Sequence, residues 1–265
     1  MTGRERVLRA LEFRTPDRVP RDLWMLPGAA ITLGRQAVED FVASWELDFN
    51  GPPMADSGLS PLIRGDPYAV GTFVDEWGCT FENIHAGVIG EVKNPLLEDW
   101  ADLEKLRVPR EELDLDIEAV NARCRRSDKF FISGCCPRPF ERMQFLRGSE
   151  DLYMDLAEQP PELFELLKIV HGHYRDVAEL WCTKTDIDAL RIMDDWGSQS
   201  SLLICPQQWR RLFKPLYAEY AQLAHENGKK LLMHSDGYIF DIYEDLIEIG
   251  VDAINSQLFC MDIPE

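Results

Sequence analysis

The sequence has no long apolar run and no paired cysteine motif. Nowhere do about 18 uncharged apolar residues follow one another, which is the length that a membrane-spanning helix needs. No apolar run follows the charged first six residues either, so we expect a cytoplasmic protein with neither a secretory signal nor a membrane span. The seven cysteines are odd in number and form no Cys-x-x-Cys pair, which is typical of reduced thiols rather than of a disulfide framework.

Basic residues are also scarce. The chain has 28 Lys and Arg against 47 Asp and Glu, a formal net charge of −19. A field of this sign repels phosphate backbones and anionic lipids, so we expect a small-molecule substrate and neither a nucleic-acid nor a membrane partner. Hydrophobic residues make up 45% of the chain, enough for a sizeable core, and 265 residues fit one barrel domain over 1–265.

The second half of the sequence alternates between helical and strand patterns. A series of strand–helix–strand units favours a parallel sheet, and such a series closing on itself gives an α/β barrel. The predicted elements are helices from Ser149 and from Pro161, a strand at 187–193, a helix at 206–227 kinked by Pro215, a strand at 229–233, a helix ending at Gly250 and a strand at 252–255.

The first half is less regular. We predict a helix at 4–13, a first strand within 17–25 and another strand at 130–134. The segment 27–110, which includes a Gly/Pro-rich stretch at 51–71, is predicted to be irregular and to cover the mouth of the barrel.

Polar residues follow two of the predicted strands. Asp194-Asp195-Trp196 comes after one strand, and His234-Ser235-Asp236-Gly237 ends the next. Since α/β barrels place their active sites at the carboxyl ends of the strands, we expect a site there. By contrast, His171 and His173 are two residues apart on a predicted helix and do not share a face, so they are not predicted to bind a metal.

Several motifs in order along the chain resemble those of the uroporphyrinogen decarboxylase family, which includes corrinoid methyltransferases. The resemblance implies a (β/α)8 TIM-type barrel. Family members continue for two further βα units, so we expect this chain to be C-terminally truncated and to lack them. The motifs are Arg4–Leu11 with Pro16–Pro20, Asp75-Glu76-Trp77-Gly78, Gly148–Pro161, Asp194–Gln199, His234–Gly237 and Leu246–Asp252.

The resemblance is closer to the methyltransferase branch. Those enzymes hold zinc with a His-x-Cys pattern and a later cysteine, because zinc lowers the pKa of a bound thiol or hydroxyl. His234-Ser235-Asp236 matches the first part, with aspartate as a harder ligand than cysteine, and the third ligand is expected in the missing segment. The decarboxylases resembled here instead use an Arg-x-x-Gly-Arg pattern, whose arginines are absent from Trp24–Ala30.

The favoured hypothesis is a methyltransferase that acts on a small methylated compound together with a corrinoid held by a partner protein. The alternatives are a uroporphyrinogen decarboxylase, which is a carboxy-lyase of porphyrin biosynthesis, and an inactive truncated binding module whose open sheet edge favours a homodimer. The candidate residues are Asp75, Asp194 and Asp195 for catalysis, Glu76, Trp77, Arg138, Trp196 and Tyr238 for substrate binding, and His234 and Asp236 as ligands of a zinc ion.

Overall fold

A computed structural model describes residues 1–51 and 60–261. These residues contain ten α-helices and eight β-strands. The helices are α1 (Gly3–Leu11), α2 (Gly28–Leu33), α3 (Arg35–Ser44), α4 (Ile117–Arg126), α5 (Pro139–Arg147), α6 (Ser149–Glu158), α7 (Pro161–Lys184), α8 (Pro206–Leu212), α9 (Lys214–Glu226) and α10 (Tyr243–Glu248). The strands are β1 (Phe49–Asn50), β2 (Gly71–Val74), β3 (Thr80–Asn83), β4 (Glu91–Val92), β5 (Phe130–Phe131), β6 (Ala189–Met193), β7 (Lys230–Ser235) and β8 (Ala253–Ser256).

Five strands lie side by side in parallel, in the order β1-β5-β6-β7-β8. β1 pairs with β5, and β6, β7 and β8 pair in turn. A parallel bridge between Ile132 and Ala189 joins the two groups. The predicted α/β class is therefore confirmed, but in the part of the chain that the structure describes β1 and β8 do not pair, and no closed barrel is formed.

The helices of the second half pack on one face of this sheet. Proline at the start of α7 suits its first turn, and the helix buries an apolar stripe that includes Leu163, Leu166 and Val170. That stripe shares the main core with Leu190 of β6 and Leu231 of β7. Sequence periodicity predicts α6, α7, β6, β7 and β8, and the structure confirms each within a few residues.

The opposite face of the sheet carries a smaller apolar cluster. Ala189 packs there with Ile132, and Leu232 packs against the same cluster. Because successive side chains of a strand face opposite sides, Arg191 shares the side of Ala189, and His234 shares the side of Leu232. We call this side the inner face of the sheet.

Two element predictions need correction. The segment 17–25 forms no strand: its backbone is held to the Asp48 region mainly through the Asp48 carboxylate, which accepts from Arg18 and from the Arg21 N–H. The predicted helix at 206–227 is two helices that meet at Phe213, since Pro215 has no N–H to continue the hydrogen-bond ladder and instead lies in the first turn of α9.

The segment 27–110 is more regular than predicted. It contains the short helices α2 and α3 and an antiparallel sheet in which β3 pairs with both β2 and β4. The Gly/Pro-rich stretch at 51–71 lies partly outside the described residues, which omit 52–59. Among the described helices, none combines the length and the apolar character of a membrane span.

Candidate metal centre

The candidate site forms where β6, β7 and β8 end next to one another. Met193 pairs with His234, and His234 pairs with Asn255. Asp195 lies just past the end of β6, and Asp236 just past the end of β7. Because parallel strands in register bring their carboxyl ends to one edge, two aspartates that are far apart in the sequence meet there.

Asp195, His234 and Asp236 each offer a ligand atom, and these atoms lie within 4.8 Å of one another. The Nε2 atom of His234 is 3.5 Å from Asp236 Oδ1 and 3.8 Å from Asp195 Oδ1. All three side chains are partly accessible to solvent. One imidazole and two carboxylates form a donor set that suits Zn²⁺ or a harder divalent metal.

The ring of His234 is oriented by Asn255. Its Nδ1 atom is 2.6 Å from Asn255 Oδ1, which can only accept, so Nδ1 carries the proton. The lone pair of a neutral His234 therefore lies on Nε2, the nitrogen that faces the two carboxylates. Metal-ligating histidines are held in this manner by a hydrogen bond from the other ring nitrogen.

Both carboxylates are also held in place. Asp195 Oδ1 accepts from the backbone N–H of Asp236 at 2.9 Å. Asp236 Oδ1 accepts from Gln257 Nε2 at 2.7 Å, and Gln257 Oε1 accepts from the Gly237 N–H. The three potential ligands therefore fit a metal ion, since their outer contacts fix them before any ion binds.

Two glycines let the loops after β6 and β7 cross in direct contact. A Cβ atom at Gly197 would lie 2.3 Å from the backbone nitrogen of Tyr238, and one at Gly237 would lie 2.2 Å from the carbonyl oxygen of Gly197. Gly237 also has a φ of +75°, which other residues rarely adopt. The Gly197 N–H donates to the Asp236 carbonyl at 3.1 Å, so Asp195 and Asp236 are fixed relative to each other.

Asp194 is fully buried, unlike its neighbour Asp195. Its carboxylate accepts from the N–H groups of Phe140 and Glu141, in the first turn of α5, and from the Tyr217 hydroxyl at 2.6 Å. Burial raises the pKa of Asp194 to about 8, although these three hydrogen bonds oppose the shift. The structure thus places this predicted catalytic residue at a helix N-terminus, beneath the site rather than in it.

Asp75, Glu76 and Trp77 contact Arg142 of α5 and are not members of the metal cluster. Asp75 caps the turn between β2 and β3 and forms a buried ion pair with Arg142. Glu76 accepts from the same guanidinium at 2.5 Å, and burial raises the pKa of Glu76. Trp77 is 1% exposed and packs edge-on against His173. This group joins the small antiparallel sheet to the main core.

The remaining predicted residues are divided between the core and the rim. Trp196 is fully buried, with its ring stacked 4.0 Å from that of Phe140. Tyr238 is half-buried, and its hydroxyl donates to Asp241 at 3.3 Å. Arg138 is half-buried and pairs with Glu141 at 3.1 Å. Burial raises the pKa of the Glu141 carboxyl, which also lies in the fields of Arg138 and Asp195.

Sequence reasoning misses residues that support the cluster. Asn255 and Gln257 follow the pattern of an ordinary final strand, and nothing in the sequence marks them as partners of His234 and Asp236. Trp24 is predicted in a strand, yet its indole ring lies 5.0 Å from the ring of His234 and is 43% exposed. The third ligand is expected beyond residue 265, whereas Asp195 already completes a set of three.

The sequence model named uroporphyrinogen decarboxylase (URO-D) matches residues 2–257. The chain belongs to the uroporphyrinogen decarboxylase family. A solved structure of a methyltransferase from Methanosarcina mazei aligns with a TM-score of 0.61 over 96% of this chain and 75% of that chain, at 17% sequence identity. No curated protein matches the chain. The family resemblance inferred from the motifs is confirmed, and the structural likeness supports the fold.

Proposed function

We propose that this member of the family is a zinc-dependent methyltransferase that moves a methyl group between a small O-methyl or thiol compound and a corrinoid held by a partner protein. The observation that carries the proposal is the cluster of Asp195, His234 and Asp236, with His234 Nε2 directed at the carboxylates. The fold likeness to a methyltransferase agrees with it. A TIM-type barrel of the family kind is part of the same proposal.

His234, Asp195 and Asp236 would hold the ion. Bound there, zinc would act as a Lewis acid that lowers the pKa of a thiol or hydroxyl and polarises an ether oxygen. Glu141 lies in the field of Asp195, and burial raises the pKa of its carboxyl, which suits a residue that holds or moves a proton beside the cluster. Asp194 acts by positioning, since it fixes the start of the helix that carries Glu141.

The test is metal analysis of the purified protein by plasma mass spectrometry. We expect about one zinc per chain in the wild type and loss of that zinc in His234→Ala. His171→Ala is the matched control, because His171 pairs with Tyr220 and Glu219 on the helical side of the molecule. Absence of metal from the wild type, or equal zinc in the two variants, would refute the zinc mechanism.

Uroporphyrinogen decarboxylation is the second candidate, and family membership favours it. The sequence weighs against it, because the stretch Trp24–Ala30 lacks the arginines of the Arg-x-x-Gly-Arg pattern that the decarboxylases resembled here use. Tight binding of uroporphyrinogen by the metal-free protein, measured by equilibrium dialysis, would favour the decarboxylase over the methyltransferase.

A further inference from the structure

Arg191 is a half-buried cation that has no acidic partner among the residues that the structure describes. The more deeply buried arginines Arg6, Arg142 and Arg147 all form ion pairs with aspartates. Arg191 forms none with the residues described at 1–51 and 60–261, and its Nε atom is buried without a hydrogen-bond partner there. A buried N–H group of a guanidinium left without an acceptor is costly. In a protein with a net charge of −19, this lack of a partner indicates a place for a bound anion.

Arg191 faces a cavity on the inner face of the sheet. The cavity lies beside the ends of β1 and β5 and combines a few polar groups with apolar walls, as small-molecule sites do. The Ser133 hydroxyl already accepts from the Arg191 backbone N–H at 3.0 Å, which fixes the strand beneath the guanidinium. The residues that line the cavity are Asp22, Leu23, Leu47, Phe49, Asn50, Gly51, Ile132, Ser133 and Arg191.

Trp24 connects this cavity with the metal cluster. The guanidinium carbon of Arg191 lies 5.5 Å from the centre of the Trp24 ring, and the same ring lies 5.0 Å from that of His234. Arg191 pairs with Leu232, two residues before His234, so Arg191 and His234 are diagonal neighbours on the inner face. A ligand only a few atoms long can therefore reach from Arg191 to the metal cluster.

Asp22 is the acid among the described residues that line the cavity, and it does not neutralise Arg191. Its carboxylate accepts from the indole N–H of Trp24 at 2.7 Å and from the Leu23 backbone N–H at 2.9 Å. These bonds fix the Trp24 ring beside the Arg191 guanidinium, and Asp22 forms no ion pair with Arg191. The guanidinium has five N–H donors in a planar arrangement. It can therefore donate to the two oxygen atoms of a carboxylate on a bound ligand.

We propose that Arg191 binds the carboxylate of a small substrate and so presents its methyl-bearing end to the cluster of Asp195, His234 and Asp236. The inference deepens the proposed function and rests on it, because it assigns that function a substrate class of short methylated carboxylates. Arg191 is a binding and positioning residue in this scheme. Trp24 forms the wall along which the substrate lies.

The test compares two probes of nearly equal size by ligand-observed NMR titration. Methoxyacetate carries a methyl ether and a carboxylate, and 2-methoxyacetamide is its neutral analogue. We expect the wild type to bind methoxyacetate about tenfold or more tightly than the amide. The neutral amide cannot accept the pair of charge-assisted hydrogen bonds that the guanidinium donates to a carboxylate. Arg191→Gln should abolish the preference. Arg211→Gln removes the same charge from an exposed position on α8 and should retain it.

Arg191→Lys guards against a folding defect in the glutamine variant. Lysine keeps the charge but not the fork, so the preference should fall without vanishing. Equal binding of the two probes by the wild type, binding of neither, or an unchanged preference in a folded Arg191→Gln or Arg191→Lys protein would overturn the inference.

Titrations with and without a zinc chelator separate the inference from the proposed function. A carboxylate preference in a protein that never binds zinc would support the role of Arg191 and refute the zinc mechanism. One zinc per chain without any carboxylate preference would support the mechanism and overturn the role of Arg191.

Discussion

At the scale of single residues, the chemistry of the site depends on which nitrogen of His234 is free. Asn255 engages Nδ1 and thereby leaves the lone pair on Nε2 beside Asp195 and Asp236. An imidazole with the opposite tautomer would direct an N–H at the place where a metal ion would be bound. A residue that never touches the ion therefore decides whether His234 can act as a ligand.

Asn255→Ala should lower zinc affinity by about 10- to 100-fold, because the ring of His234 loses the acceptor that fixes its tautomer. The measurement is a competition titration against a chromophoric chelator. Asn227→Ala is the control, since Asn227 is exposed and its side-chain amide donates to the Leu223 carbonyl, on the helical side of the sheet. An Asn255→Ala protein with wild-type affinity would show that Asn255 does not orient the ligand.

At the scale of elements, two loops behave as one because their backbones touch. The N–H of Gly197 donates to Asp236, and the N–H of Tyr238 donates to Ser198 at 2.8 Å. No side chain larger than hydrogen fits at either glycine of the crossing. The positions of Asp195 and Asp236 therefore depend on contacts between the loops as well as on the strands that precede them.

Gly197→Ala should destabilise the protein by about 1–3 kcal/mol and weaken zinc binding, because its Cβ atom would overlap the backbone of Tyr238. Urea unfolding and zinc titration provide the two measurements.

Gly172→Ala is the matched control: Gly172 lies within α7, and a Cβ atom added there would meet no atom within 4 Å. Alanine at that position should leave zinc binding unchanged and stabilise the helix by up to about 1 kcal/mol. Wild-type zinc affinity in Gly197→Ala would show that the contact between the two loops does not position the metal ligands.

Sequence patterns predict those elements whose side chains alternate regularly between core and surface. The stripe of α7 and the apolar run of β6 are such cases. Once the strands are predicted, the sequence also predicts that Asp195, His234 and Asp236 lie near strand ends. The segment 17–25 has apolar residues as well, but its path is determined by the Arg18–Asp48 ion pair and by the hydrogen bond from the Arg21 N–H to Asp48. Arg191 reads in the sequence as an ordinary polar residue of a strand. It is distinguished only in three dimensions, where its Nε atom has no hydrogen-bond partner among the described residues.

At the scale of the whole molecule, Asp48 fixes the amino-terminal segment to the sheet. Asp48 is 1% exposed and pairs with Arg6 of α1 and with Arg18. Its backbone carbonyl accepts from the N–H of Phe130 in β5. Burial opposes ionisation, but hydrogen bonds from Arg18, the Arg21 N–H and Arg6 outweigh it and lower the pKa of Asp48 below its ordinary 3.8.

Asp48→Asn should reduce the free energy of unfolding by about 3 kcal/mol near neutral pH, since two guanidinium groups lose their buried counter-ion. The contribution of Asp48 is present above pH 3.8 and is lost as the pH falls through its lower folded-state pKa, so the difference from the wild type should shrink in acid. Denaturant unfolding at a series of pH values measures this.

Asp114→Asn is the control for the Asp48 variant, because Asp114 is exposed, and it should change stability by less than about 0.5 kcal/mol. A difference between wild type and Asp48→Asn that stays constant down to the acid transition would contradict the assignment of the stability to this ion pair.

The crossing of the two glycine loops also limits how this scaffold can be redesigned. Insertions between Asp195 and Gly197, or between Asp236 and Tyr238, would lengthen one of two contacting loops without the other. The turn at Ser198–Ser201 is closed by its own Ser198 N–H to Ser201 carbonyl bond, and Gln199 and Ser200 at its tip are exposed. New recognition segments are best inserted at that tip, because residues there can be exchanged without changing the positions of Asp195, His234 and Asp236.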